Sequence, residues 1–200
     1  MSTSRSRKRS YHHGKLRAAL LRAAGKLLEQ AGPAALSVRA AARAAGVSHN
    51  APYRHFPQRE SLLAALAAEG FSALGGVLQD AGARGGLRAR GEAYVGFALA
   101  HPQRFRLMFS GDLRIEKHHV LGRIATGVYD GLAEAFMAQI PGPAGRDASL
   151  AAWSLVHGLA LLLLDHRIAA AAPQGRTIEG LVREVLSSIR FAARAPQPTA

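Results

Sequence analysis

Only Gly46 and Val47 separate two short helical segments, and that spacing constrains the fold more than any other feature of the chain. Two helices joined so tightly cross at close range, so the first needs small apolar residues at the crossing. Ala41, Ala42 and Ala45 supply them. The turn needs a residue that tolerates positive φ, and Gly46 provides it. Ser37 is placed to cap a helix over 37–45, and Ser48 to cap one reaching Phe56. Val47 and Phe56 are expected to anchor the second segment at its two ends, and Pro52 costs little near its first turn. The residues left exposed are Ser48, His49, Asn50, Tyr53, Arg54 and His55, all hydrogen-bonding or stacking types and none acidic. A helix entering the major groove of DNA presents such a surface. A helical hairpin on an α-helical enzyme would share the periodicity.

Charge favours the first reading. The chain carries a formal net charge of +13. Residues 1–60 hold twelve Lys and Arg against Glu29 and Glu60, a net of +10, whereas residues 61–200 hold fourteen against eleven acids, a net of +3. A basic first third on a balanced remainder is the footprint of a polyanion partner.

The rest of the pattern is all-α. Alanine and leucine dominate and β-branched runs are short. A basic arm is expected over 1–13, then a helix from Gly14 carrying Leu16, Leu20, Ala23, Leu27, Leu28 and Ala31, ended by Gly32-Pro33. Pro57 stops the recognition segment and a further helix starts near Arg59. Gly82–Gly86 is the candidate hinge, followed by helices at about 87–100, 102–110, 117–140, 147–169 and 176–193, with a tail over 195–200. The stripe Leu121, Ile124, Val128, Leu132, Phe136 and Ile140 marks the clearest of them. These boundaries give a helix-turn-helix domain over 14–60 and a larger helical domain over 61–194.

Several classes of function are set aside. With no cysteine there is no disulfide framework, no thiolate catalysis and no Cys-ligated zinc, which is compatible with a reduced cytoplasm. The basic start Arg5–Arg9 leads into Tyr-His-His-Gly and not into an apolar stretch, so no secretory signal is visible. Trp153–Leu164 is interrupted by His157 and reads as a buried helix. Ser154, His157 and Asp165 suggest a triad, but on one helix His157 and Asp165 stand roughly 12 Å apart along the axis. No helical His-x-x-x-His pair is present, and Gly14-Lys15-Leu16 lacks the rest of a phosphate loop. No enzymatic activity, metal or cofactor is expected.

The run from Ser37 to Leu63 resembles the N-terminal domain of the TetR family of transcriptional regulators. Its Ala-Gly-Val-Ser turn, its Tyr-x-His-Phe close and its basic-Glu-x-Leu-Leu start to the next helix match together, over about residues 12–66. Trp153-Ser-Leu-Val-His-Gly158 is similar to the Trp-x-x-x-His-Gly signature of one C-terminal ligand-domain subgroup. Arg59 stands where the family most often has Lys, and Arg54 replaces a frequent aromatic, a change that could alter which sequence is read.

The resemblance implies that Ser48, His49, Asn50, Tyr53 and Arg54 lie in or beside the groove, with Tyr53 and His55 on phosphate or sugar. It places Ser37 and Arg39 near the DNA backbone and Arg59 as a phosphate clamp at a helix N-terminus. Arg5, Arg7, Lys8 and Arg9 would track an adjacent groove or remain a solvated tail. It further implies a cytoplasmic homodimer, paired through the last two long helices, that binds a double-stranded DNA operator and a small effector. Phe97, His101, Phe105, Met108, Phe109, Tyr129, Trp153 and His157 are the candidate effector residues and suit an apolar or aromatic molecule. The mid-chain aromatic cluster, which also holds Tyr94, and Met108 suit a plain core equally, and a His one turn after a Trp suits either a pocket or a helix crossing. The expected function is a repressor released from a palindromic operator by its effector. The alternative is an architectural DNA-binding protein without one.

Overall fold

The computed structural model describes residues 4–111, 113–168 and 175–190, with side chains from Lys15 onward. Among the described residues seven α-helices follow one another, α1 Ser4–Ala31, α2 Val38–Ala44, α3 Arg59–Ala100, α4 Pro102–Met108, α5 His119–Met137, α6 Pro143–Leu164 and α7 Ile178–Ser187. Short 3₁₀ turns lie at Pro33–Ala35, Ala51–Arg54 and Ile115–Lys117, and no strand occurs among the described residues. The all-α expectation holds.

Contacts divide the chain into two compact units. One comprises Met1–Gly70 and His101–Gly122, the other Phe71–Ala100 and Arg123–Ala200. This differs from the sequence boundary at residue 60, since α4 packs on α1 and His101–Gly122 groups with the first unit.

In the first unit α1 packs on both α2 and α4. Its core is formed by Leu20, Leu21, Ala24 and Leu28 from α1, Leu36 and Val38 beside α2, Leu62 and Leu66 from α3, and Phe105 and Met108 from α4. Fully burying a side chain of this size stabilises by about 1.5–3 kcal/mol. Helix α1 begins ten residues earlier than Gly14, since Ser4–His13 contains neither Gly nor Pro to interrupt it. Within the stretch expected as an arm, residues 4–13 are therefore the first part of that helix, and residues 1–3 lie outside the described residues.

In the second unit Phe71, Leu74, Tyr94, Val95, Phe136 and Leu159 are buried. Helix α3 is broken where the sequence placed a hinge. Gly85 has φ −150° and ψ 17°, and Gly86 has φ 68° and ψ −151°, a region open only to glycine. Helix α6 ends at Asp165, and His166 adopts φ 53°. The amide of Arg167 bonds the Leu162 carbonyl at 2.9 Å and that of His166 the Leu163 carbonyl at 3.1 Å, a Schellman closure built without glycine.

Candidate functional site

The segment from Ser37 to Arg59 is assembled from local backbone chemistry. The Ser37 hydroxyl accepts the amide of Ala40 at 3.0 Å and caps α2. Val38, Ala41 and Ala42 face the core, which leaves Arg39 and Arg43 exposed on the opposite side. After Ala45 the chain closes with Gly46 at φ 69°. The Gly46 amide bonds the Arg43 carbonyl at 3.1 Å, and the Val47 amide bonds that of Ala42 at 3.1 Å. These are the two bonds of a Schellman turn, and they require the left-handed residue that the sequence supplies.

The following segment departs from expectation. It is a 3₁₀ turn over Ala51–Arg54 and not an α-helix from Ser48 to Phe56. The cause is Pro52. An α-turn would need an amide at position 52 to reach the Ser48 carbonyl, and proline has none. The Ala51 amide takes that carbonyl instead, at 3.2 Å. The amides of His55 and Phe56 then share the Pro52 carbonyl, at 2.8 and 2.9 Å.

Pro52 and Phe56 are buried and fix this turn, while Ser48, His49, Asn50, Tyr53 and Arg54 are exposed together. His55 is half-buried, its ring 6.5 Å from that of Phe56. On the other side the Arg17 guanidinium carbon lies 5.5 Å from the centre of the Phe56 ring. Arg59 donates through Nε to the Leu36 carbonyl at 2.8 Å and through Nη2 to the Pro33 carbonyl at 2.5 Å. Two of its N–H groups therefore tie the start of α3 to the residues just before α2, a role that the sequence did not reveal. Two further links belong to this unit. Glu29 accepts the Gln103 amide at 3.3 Å and lies 3.7 Å from Arg104 Nε, and His118 Nε2 lies 3.1 Å from Glu60.

The candidate effector residues do not form one group. His101, Phe105, Met108 and Phe109 fall in the first unit. There Phe105 and Met108 are fully buried, the Phe105 and Phe109 rings lie 4.9 Å apart, His101 is exposed at the N-cap of α4, and Met108 packs on Gly70. Phe97, Tyr129, Trp153 and His157 fall in the second unit, with Phe97 buried. There the Tyr129 and Trp153 rings are 5.6 Å apart, and those of Trp153 and His157 are 6.1 Å apart. Two buried residues join this half-buried group, Tyr94 from the mid-chain aromatic cluster and Ser149, which the sequence did not single out. The Tyr94 hydroxyl accepts the Trp153 indole N–H at 3.2 Å and lies 2.9 Å from His157 Nδ1. Buried Ser149 bonds the Tyr129 hydroxyl at 3.3 Å. Burial raises the pKa of the Tyr94 phenol, against a smaller opposing effect of the Trp153 bond, and burial lowers that of His157. Tyr94 was legible only as one of several mid-chain aromatics, because helical spacing says nothing about partners on separate helices.

Comparison with known proteins agrees with this anatomy. Residues 20–66 match the family model for bacterial regulatory proteins of the tetR family, and residues 87–185 match that for the tetracyclin repressor-like C-terminal domain. A solved protein of unknown function from Rhodococcus sp. RHA1 is 33% identical, with 89% of this chain and 95% of that chain covered at a TM-score of 0.73. The flavonoid-responsive regulator FrrA is 26% identical, with 87% and 92% covered at a TM-score of 0.55. A regulatory protein in the tetR family from Rhodococcus RHA1 shares the fold at 19% identity, with 86% and 93% covered and a TM-score of 0.61. No curated protein matches the chain. This chain belongs to the TetR family of bacterial transcriptional regulators.

Proposed function

We propose that the protein is a homodimeric, cytoplasmic repressor that holds a palindromic operator and leaves it when a small apolar or aromatic effector binds. The observation that carries this reading is the contiguous exposure of Ser48, His49, Asn50, Tyr53 and Arg54 on a turn fixed by buried Pro52 and Phe56. These side chains can donate to and accept from base edges and phosphates, and Arg39 adds a cation beside them. The Ser37 hydroxyl already accepts an amide, so its role is to orient α2 against the backbone of the duplex. The guanidinium of Arg59 has five N–H groups, of which two are engaged, and those remaining serve a phosphate. His55, half-buried, acts on sugar or phosphate at the rim.

Dimerisation is assigned to α6 and α7. Leu150 and Leu162 on the first and Ile178 on the second are large, apolar and exposed, which suits pairing with a second copy. Two copies would place their reading heads one DNA turn apart, roughly 34–36 Å. Effector binding is assigned to the second unit, around Tyr129, Trp153 and His157, and the likeness to a flavonoid-responsive regulator supports an aromatic ligand. The buried pair Phe105 and Met108, with Phe109 and His101, then serves as the support for α4.

The test is selection of bound sites from random DNA, repeated with Asn50→Ala and Tyr53→Ala. A palindromic motif that the variants lose or relax supports the reading. The net charge of +13 favours a second one, an architectural DNA-binding protein. Salt-sensitive binding to every duplex with no enriched motif would decide for it.

A further inference from the structure

Phe56, which ends the exposed polar turn, is buried and carries a cation on its ring. The guanidinium of Arg17, from α1, lies over that ring at 5.5 Å from its centre. Attraction between a cation and an aromatic face is electrostatic and commits no N–H group. Arg17 is exposed, and among the described residues it makes no hydrogen bond or ion pair. All five N–H donors of its fork therefore remain for a partner.

No nearby carboxylate from this part of the chain competes for the charge. Residues 1–60 hold two acids, Glu29 and Glu60. Glu29 stands roughly 18 Å further along the axis of α1. It is engaged with Gln103 and Arg104, and Glu60 with His118. The mounting on Phe56 also sets Arg17 apart on its own helix. Arg22 is exposed as well, but it stands about 140° around the axis from Arg17.

We propose that Arg17 is a phosphate ligand, its guanidinium held over Phe56 and taking a DNA backbone phosphate beside the bases that face Ser48–Arg54. The inference rests on the reading of the chain as a DNA-binding regulator, and it adds α1 to the contact surface. The planar fork matches two phosphate oxygens, and the ring holds the charge without using a donor. Such a contact fixes the chain on the duplex and carries no sequence information.

The test measures duplex affinity of the full chain across a salt series. Arg17→Met keeps an apolar cover on Phe56 and removes the cation. It should lower the slope of log affinity against log salt by about 0.9 for each copy of the chain bound. Binding at fixed salt should weaken about tenfold, and the selected motif should stay the same. Arg17→Lys should keep the wild-type slope, and Arg22→Met should leave slope and affinity near those of wild type. An unchanged slope in Arg17→Met overturns the proposal. So does an equal fall in Arg17→Met and Arg22→Met, which would mark a diffuse positive field. A lower urea midpoint and an altered motif at unchanged slope would also overturn it, since Arg17 would then only hold Phe56. Failure of the regulator reading is separate: selection would enrich no motif with the wild-type chain. The slopes are then read on a random duplex, where the same outcomes decide the role of Arg17.

Discussion

The guanidinium of Arg59 donates to the carbonyl of Leu36 at 2.8 Å, across 23 residues of chain. Leu36 is followed directly by Ser37, the cap of α2, so this bond joins the start of α3 to the helix that carries the reading turn. A side chain at the edge of the proposed DNA-reading surface thus also sets the geometry behind that surface.

Arg59→Ala removes both carbonyl bonds, and the loss in stability should be about 1–2 kcal/mol, less than two ordinary charge-assisted bonds because one is exposed and the other only part-buried. The loss in operator affinity should exceed what one missing charge explains. Arg59→Lys keeps the charge but lacks the planar fork that reaches two carbonyls. Denaturant unfolding and operator titration on both variants decide the matter. Full rescue of affinity by Lys would show that charge alone matters there.

The turn before the reading segment rests on one backbone conformation. Gly46 sits at φ 69°, and a Cβ built there would meet no atom within 4 Å. Gly46→Ala should therefore cost about 1 kcal/mol through left-handed strain alone, with no steric clash. Gly46→Asn should cost less, since asparagine tolerates this region better. Equal stability of wild type and the Ala variant in urea would mean that the Schellman closure is not formed in solution.

How much of this anatomy was readable from the chain depends on the range of each interaction. The Ser37 cap, the Gly46 turn and the inward Ala41 and Ala42 are local, and spacing alone placed them, whereas Val38 is buried in place of the expected Ala45, which caps the helix half-exposed. The break at Gly85-Gly86 was legible for the same reason. Pro52 was legible as a cost but not as a geometry: its missing amide converts the expected α-helix into a 3₁₀ turn. The link between Tyr94 and His157 spans 63 residues and two helices, so no periodic pattern could carry it. Composition likewise could not separate Phe105 and Met108, which are fully buried, from the half-buried Tyr129 and Trp153. Core and cavity draw on the same residue types.

His166 presents the converse of Gly46. It closes α6 in the left-handed region at φ 53°, where a side chain is disfavoured. His166→Gly should stabilise the protein by about 0.5–1 kcal/mol, because glycine adopts this position without steric cost. The gain would appear as a higher denaturant midpoint with an unchanged slope. A destabilised variant would show that the imidazole makes a contact worth more than the strain.

Burial lowers the pKa of His157 in the folded state below the ordinary imidazole value. Well above about pH 6.5 the imidazole is neutral in both states, and its environment contributes fully to stability. As the pH falls through that value, the unfolded chain takes up the proton first. Stability is then lost progressively, until the folded imidazole is protonated as well. His157→Gln removes the titration together with the Tyr94 bond, so the variant should be less stable at neutral pH by a constant amount. The difference from wild type should then shrink as the pH drops below about 6.5, because only the wild type loses stability there. Urea unfolding of both proteins from pH 8 to pH 5 measures this directly. A difference that stays constant with pH would mean that His157 titrates alike in the folded and unfolded chain, and that its ring is more hydrated than its contacts with Tyr94 and Trp153 imply.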